Sequence, residues 1–336
     1  MTARPSPFSR LLAGPLLALG LLLAGCDQSE PPLARQVLAE GSILAAASTD
    51  DGRFTLVSSG KGPVQVWMAG DAAPLYQWYQ GQETDPVVLL ASGPDGKAAA
   101  TATERTVALW SLESGQNLGF YRVEQPLRAL ALASNGRALL LGYQNGEVEY
   151  VNLASGRRLQ FLGHQDRINS LDISANGRYA LSASHDGEVM LWQTDDAAIV
   201  ARWRHEHSVS LVRLDQGGRY AFSADAQGNG EVHRLPDGEV QARLEVPARG
   251  QTFISARLNV DQDLLATGGT ARRLDLWRLS DGTHLHHWQV GLHTQLRPAS
   301  AMVYSVAFDG AHRLYSTSSA GLGETWALTN RDEHDE

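Results

Sequence analysis

A single cysteine among 336 residues excludes an intramolecular disulfide and any cysteine-built metal cluster. Basic side chains are also in deficit. The 28 Lys and Arg against 37 Asp and Glu give a formal net charge of −9, so the chain has no basic footprint for a phosphate backbone, and nucleic acid is not an expected partner. The apolar run 11–23 is too short to cross a bilayer as a helix. Gly-rich phosphate loops, a Gly-x-Ser-x-Gly elbow and a His-Glu-x-x-His helix are all missing, so neither an enzymatic activity nor a cofactor is expected. Proline is modest at 13, whereas glycine reaches 33 and hydrophobic residues 43%, the balance of a folded chain with many turns.

The amino terminus carries Arg4 and Arg10 without an acid, then the apolar run, which is the layout of a secretory signal peptide over residues 1–25. The run ends in Leu23-Ala24-Gly25-Cys26, and this resembles the lipobox of bacterial lipoproteins. The resemblance implies a diacylglycerol on the Cys26 thiol, with membrane anchoring by several acyl chains. Residues 26–32, with Pro31-Pro32, read as a polar tether. Asp27 resembles the signal that retains enteric lipoproteins in the inner membrane, which favours that membrane over the outer one.

Internal periodicity dominates the remainder of the chain. In residues 163–192 two alternating apolar runs, 168–173 and 179–182, flank Asn176-Gly177, and a second turn at His185-Asp186-Gly187 leads into 188–192. The turn glycine recurs as Gly52, Gly96, Gly136, Gly177 and Gly218, with Gln262 and His312 at the last two equivalent positions. The end of the third strand then falls on Trp67, Trp110, Val151, Trp192, His233, Trp277 and Trp326. Seven units of four strands, 40 to 50 residues apart, predict an all-β fold, a single seven-bladed β-propeller over residues 33–330. Too little chain follows Trp326 for a last outer strand, so the apolar segment 33–38 is expected to complete that blade and close the ring. Residues 331–336 read as a solvated acidic tail.

The Gly163-His164 pair, the turn Asp186 and the closing Trp192 are similar to those of the WD-repeat family. That resemblance implies a structural hydrogen-bonded tetrad of His164, Ser184, Asp186 and Trp192, and a protein-binding role. The same His, Ser and Asp superficially compose a hydrolase triad. Their place beside a tryptophan between strands favours a stabilising role instead. The fifth unit keeps His205 but puts Asp225, Gln227 and His233 at the other positions. His284 with His286, and His205 with His207, offer two ligands each without a third nearby in sequence, so no metal site is expected.

Function is then sought on the face where the interblade loops gather. Its ring is read as Ser42, Pro86, Pro126, Arg167, Ser208, Thr252 and Met302, with His185 in the adjoining turn. The long interval near 291–301 adds His293, Leu296 and Arg297. Arg167, His185, His293, Leu296, Arg297 and Met302 are the expected partner-binding residues, engaging one or more proteins of a cell-envelope complex, with the chain held periplasm-facing by its lipid. The alternatives are a periplasmic enzyme or ligand sensor using the channel, lactonase-like or quinoprotein-like, and a lipoprotein of the outer-membrane barrel-assembly type.

Overall fold

A computed structural model describes residues 30–60, 62–80, 85–245, 250–292 and 300–328. Glycine turns and alternating apolar residues convert the chain into short antiparallel strands, and these assemble as seven four-stranded sheets. Six sheets are consecutive in sequence. The seventh orders Ala34–Val37, Leu322–Ala327, Arg313–Ser318 and Val303–Asp309. The expected closure is therefore present: Ala34 pairs with Thr325 and Val37 with Leu322.

Blade 4 shows how sequence sets the local structure. Its inner strand Ile168–Ile173, central strands Tyr179–Ser184 and Glu188–Gln193, and outer strand Ile199–Arg204 are joined by tight turns in which Gly177 has φ +72° and Gly187 φ +85°. Any β-carbon would be strained there. In blade 6 the left-handed position falls on Asp263, one residue after the expected Gln262, and in blade 7 on Gly310, two residues before His312. Strict alternation fails in the inner strands of blades 3 to 7, where a bulge shifts the register, between Ile168 and Ser170 in blade 4. The bulge turns two consecutive side chains inward and bends the strand.

Burial falls from the middle of each blade outwards. Central strands such as Phe54–Ser58 and Ala98–Ala102 are buried at every residue, because neighbouring blades cover both faces. Outer strands such as Asn117–Arg122 alternate between exposed and half-buried residues. Aromatic rings fasten one blade to the next: Trp78 stacks on Trp110 at 4.9 Å, Phe161 on Trp192 at 4.5 Å and Trp203 on His233 at 4.2 Å. In each pair the first ring comes from an outer strand and the second from the following blade, so these contacts add directional packing to area burial.

Candidate functional site

Each closing indole needs an acceptor, and the central strand supplies it. Trp110, Trp277 and Trp326 donate Nε1–H to Thr101, Thr267 and Ser316 at 2.8, 2.8 and 2.9 Å. Trp192 donates to Ser182 Oγ at 3.3 Å, and His164 Nε2 meets the same oxygen at 2.8 Å. The tetrad serine is therefore Ser182, not Ser184. Ser184 lies two residues on, at the mouth of the turn, where its hydroxyl donates to Asp166 O and accepts from Asp186 N. His164, Asp186 and Trp192 keep their expected roles. Ser182 pairs with Met190, one position diagonal to the Ala180–Trp192 pair, and this diagonal brings the indole onto its hydroxyl.

Asp186 is held by amides as well as by His164. Its oxygens accept from Gln165 N and Glu188 N, both at 2.8 Å, and His164 Nδ1 lies 3.3 Å away. Burial pushes this carboxyl upwards, but the amides and His164 outweigh it and hold it below the ordinary range. Burial pulls His164 below its ordinary value, so the ring is neutral at pH 7. Ser182 is fully buried and has no path to a substrate, which makes this constellation a brace rather than a nucleophile.

The other blades vary the hub in a regular way. Blade 3 is apolar, with Val151 and Leu141 replacing ring and hydroxyl. In blade 1 Val57 occupies the hydroxyl position, and the buried Trp67 Nε1 has no hydrogen-bond partner among the described residues. Blade 5 keeps the hydroxyl as Ser223, again two residues before the expected position at Asp225. Ser223 receives Trp203 Nε1 at 3.0 Å and touches His205 Nε2 at 2.8 Å and His233 Nε2 at 3.4 Å. Glu231 stands beside them, 3.4 Å from His233 and 4.0 Å from His205. Its carboxyl is pulled down to about 2, first by the hydrogen bond to His233. His207 is exposed and not part of this group. His284 instead meets Asp275 Oδ1 at 2.8 Å, and His286 packs edge-on against Trp288, so that pair does not converge.

On the loop face the structure joins some expected residues and separates others. Arg167 Nη2 donates to His185 Nδ1 at 3.0 Å, and Ser208 Oγ lies 2.7 Å from the same nitrogen. Asn169 Nδ2 ties Ser208 Oγ and Val209 O at 3.1 and 2.8 Å, so one polar network bridges blades 4 and 5. Met302 belongs to blade 7, two blades round the ring from blade 5, and is 38% exposed. The residues immediately before the inner strands of blades 1 and 2 are Leu44 and Val88, not the expected Ser42 and Pro86, because those strands begin at Ala45 and Leu89. Leu44 and Val88 are 47% and 39% exposed. Blades 7, 1 and 2 are consecutive in the ring, so Met302, Leu44 and Val88 form an apolar arc facing the polar network across the face. His293, Leu296, Arg297 and Cys26 lie outside the described residues, as do the expected signal peptide and acidic tail.

The opposite end of the channel carries charge that sequence reading missed. The seven inner strands surround a cavity of about 110 Å³ whose lining includes Asp50, Asp172, Arg213 and Arg257. Arg257 Nη1 donates to Asp50 Oδ1. Asp172 Oδ1 accepts from Ile173 N at 2.9 Å and Oδ2 from Leu214 N in the next blade at 2.7 Å. Burial raises both carboxyls and lowers Arg213. Two acids and two arginines leave this end neutral.

Fold and hubs together define a seven-bladed, WD40-like β-propeller, an architecture suited to protein interaction. Residues 156–193 match the family model described as WD domain, G-beta repeat. The match begins before the outer strand Arg158–Phe161 of blade 3 and ends with the third strand of blade 4, so the sequence repeat straddles two blades. No curated protein matches the chain.

Proposed function

We propose that this protein is a membrane-anchored envelope lipoprotein that binds another protein as an accessory or assembly subunit of a membrane complex. The loop-face arc of Met302, Leu44 and Val88 carries this reading. Three partly exposed apolar side chains on consecutive blades, across the face from a polar network at Arg167, His185 and Ser208, offer a protein partner apolar area on one side of the channel mouth and fixed polar groups on the other. The channel end offers a neutral ion quartet with its acids engaged, which suits structural bracing better than turnover of a ligand. The lipobox at Leu23-Ala24-Gly25-Cys26 supports the anchor, and Asp27 favours the inner membrane.

Photo-crosslinking residues placed singly at Leu44, Val88 and Arg167, with Asn176 on the opposite face as control, test the binding surface in cells. The expected result is one common crosslinked species from the first three positions, lost on Met302→Asp. Crosslinking from Asn176 alone would reverse the assignment of the face. Cys26→Ser should move the protein from the membrane to the soluble fraction, and retention in the membrane would refute the lipid anchor.

A further inference from the structure

Blade 5 departs from blade 4 at two neighbouring positions of one strand face, and the departures are chemically matched. In blade 4 Ser182 pairs with Met190, and Trp192 reaches it diagonally; in blade 5 Ser223 pairs with Glu231, and His233 takes the place of the tryptophan. Residues 231 and 233 lie two apart on Asn229–Arg234 and so share a face. A thioether and an N–H donor have been exchanged for a carboxylate and an imidazole, both aimed at His205.

With both imidazoles neutral, the hydrogens at this hub do not suffice. Gly238 O lies 3.0 Å from His233 Nδ1 and can only accept, so Nδ1 carries a hydrogen and Nε2 faces the hub. Ser223 has one hydrogen, and Trp203 already donates to its oxygen. If that hydrogen goes to His205, the 3.4 Å edge between His233 Nε2 and Glu231 Oε2 has none. If His205 donates to Ser223 and Ser223 to His233, the same edge is still empty. Two buried imidazole nitrogens and a carboxylate oxygen, all within 4.8 Å of one another, therefore converge on a place that added positive charge completes, whether a proton or a metal ion.

We propose that His205, Glu231 and His233 bind a divalent zinc-class ion through His205 Nε2, His233 Nε2 and one carboxylate oxygen of Glu231. Two histidines and a glutamate form an established tetrahedral donor set, and bonds of about 2.0–2.2 Å place neighbouring donors roughly 3.3 Å apart. The His233–Glu231 edge already has that spacing, and the His205–Glu231 edge at 4.0 Å closes by a small side-chain rotation. The outer contacts are those such a site uses: Gly238 O fixes the His233 ring, and Arg243 Nε holds the other Glu231 oxygen at 3.1 Å. A cleft of about 430 Å³ lined by His205, Glu206, Asp225 and Glu231 provides an entry path and leaves room for a water as fourth ligand. The ion would join the loop after blade 4 to the third strand of blade 5. Ser208, three residues beyond His205, contacts His185, so occupancy would also stiffen the polar network of the loop face.

The test uses the full chain purified in detergent, stripped with EDTA and titrated with Zn²⁺ alone. One zinc per chain by elemental analysis is expected, with a rise in Tm of about 5 °C at a hundredfold excess over Kd. Glu231→Gln should weaken binding at least about tenfold. The double variant Glu231→Met with His233→Trp installs the blade 4 residues; it should fold, and it should lose both stoichiometric zinc and the Tm shift. His207→Ala, an exposed neighbour, should retain both. Absence of stoichiometric zinc in the native chain, or zinc binding that survives in the double variant, overturns the site.

Discussion

Arg35 Nε donates to Glu324 Oε1 at 2.8 Å across 289 residues of sequence. Glu324 has no exposed side-chain surface, and its second oxygen accepts from Gly291 N at 2.8 Å. One carboxylate thus fastens the amino-terminal strand, the last blade and the segment leaving blade 6. Replacing Glu324 with Ala should cost about 2–4 kcal/mol, because it strands the Gly291 amide and removes the clasp. Arg35→Ala should cost less, about 1–2 kcal/mol, since Arg35 is half exposed and solvent screens its share. Urea unfolding of both variants checks the order, and equal losses would show that the pair does not close the ring.

The indole hubs give a prediction of opposite sign. Val57→Thr places a hydroxyl where four other blades pair Ser or Thr with a tryptophan, and Trp67 Nε1 lacks an acceptor among the described residues. A gain of about 0.5–1.5 kcal/mol is expected from satisfying a buried donor. Blade 3 offers no such gain, since Leu141 stands beside an apolar Val151 with no indole to satisfy, and Leu141→Thr should destabilise. A higher urea midpoint for the first variant and a lower one for the second are the outcomes to be measured.

Trp192→Ala, by contrast, should cost about 3–5 kcal/mol through the cavity it leaves. Function should fall only as far as the amount of folded protein falls. A folded and correctly localised but inactive variant would contradict the bracing role of the tetrad.

His164 makes stability depend on pH in a defined window. Burial depresses its folded-state value below the ordinary 6.5, so in that interval the unfolded chain binds a proton that the native chain does not. The stabilisation is complete above pH 6.5 and is lost as pH falls towards the folded-state value. The urea midpoint should drop between pH 7.5 and 5.5, and His164→Gln should flatten part of that slope. An unchanged slope would mean that His164 is not the titrating group.

At the channel end, Arg257→Leu should cost about 1–3 kcal/mol by leaving Asp50, already raised by burial, without its cation. Asp50→Asn in the same chain should recover most of the loss. Additive losses in the double-mutant cycle would rule out coupling between the two.

The blade count and the closing strand were legible because turn glycines and closing tryptophans recur in most units, 40 to 50 residues apart, and do not depend on register. The serine of the tetrad was not. Ser182 and Ser184 share a strand face, so period-two reading cannot separate them, and only the pairing of Ser182 with Met190 does. His205 and His233 were read as members of the fifth unit, but Glu231 was not singled out, and His205 is contributed from before the inner strand of the same blade, beyond the reach of local spacing. The channel quartet draws on blades 1, 4, 5 and 6, and Leu44 and Val88 were displaced by two residues because the inner strands of blades 1 and 2 start late.

The closing strand Ala34–Val37 is also the first regular element among the described residues, and Cys26 precedes it in the chain. Tension on the chain ahead of it is delivered first to four backbone pairings with Leu322–Ala327 and to Arg35. If Cys26 is lipid-anchored, the seam that makes the propeller a ring is also the joint by which it would be towed, and its mechanical strength sets how hard a partner can pull before the ring opens.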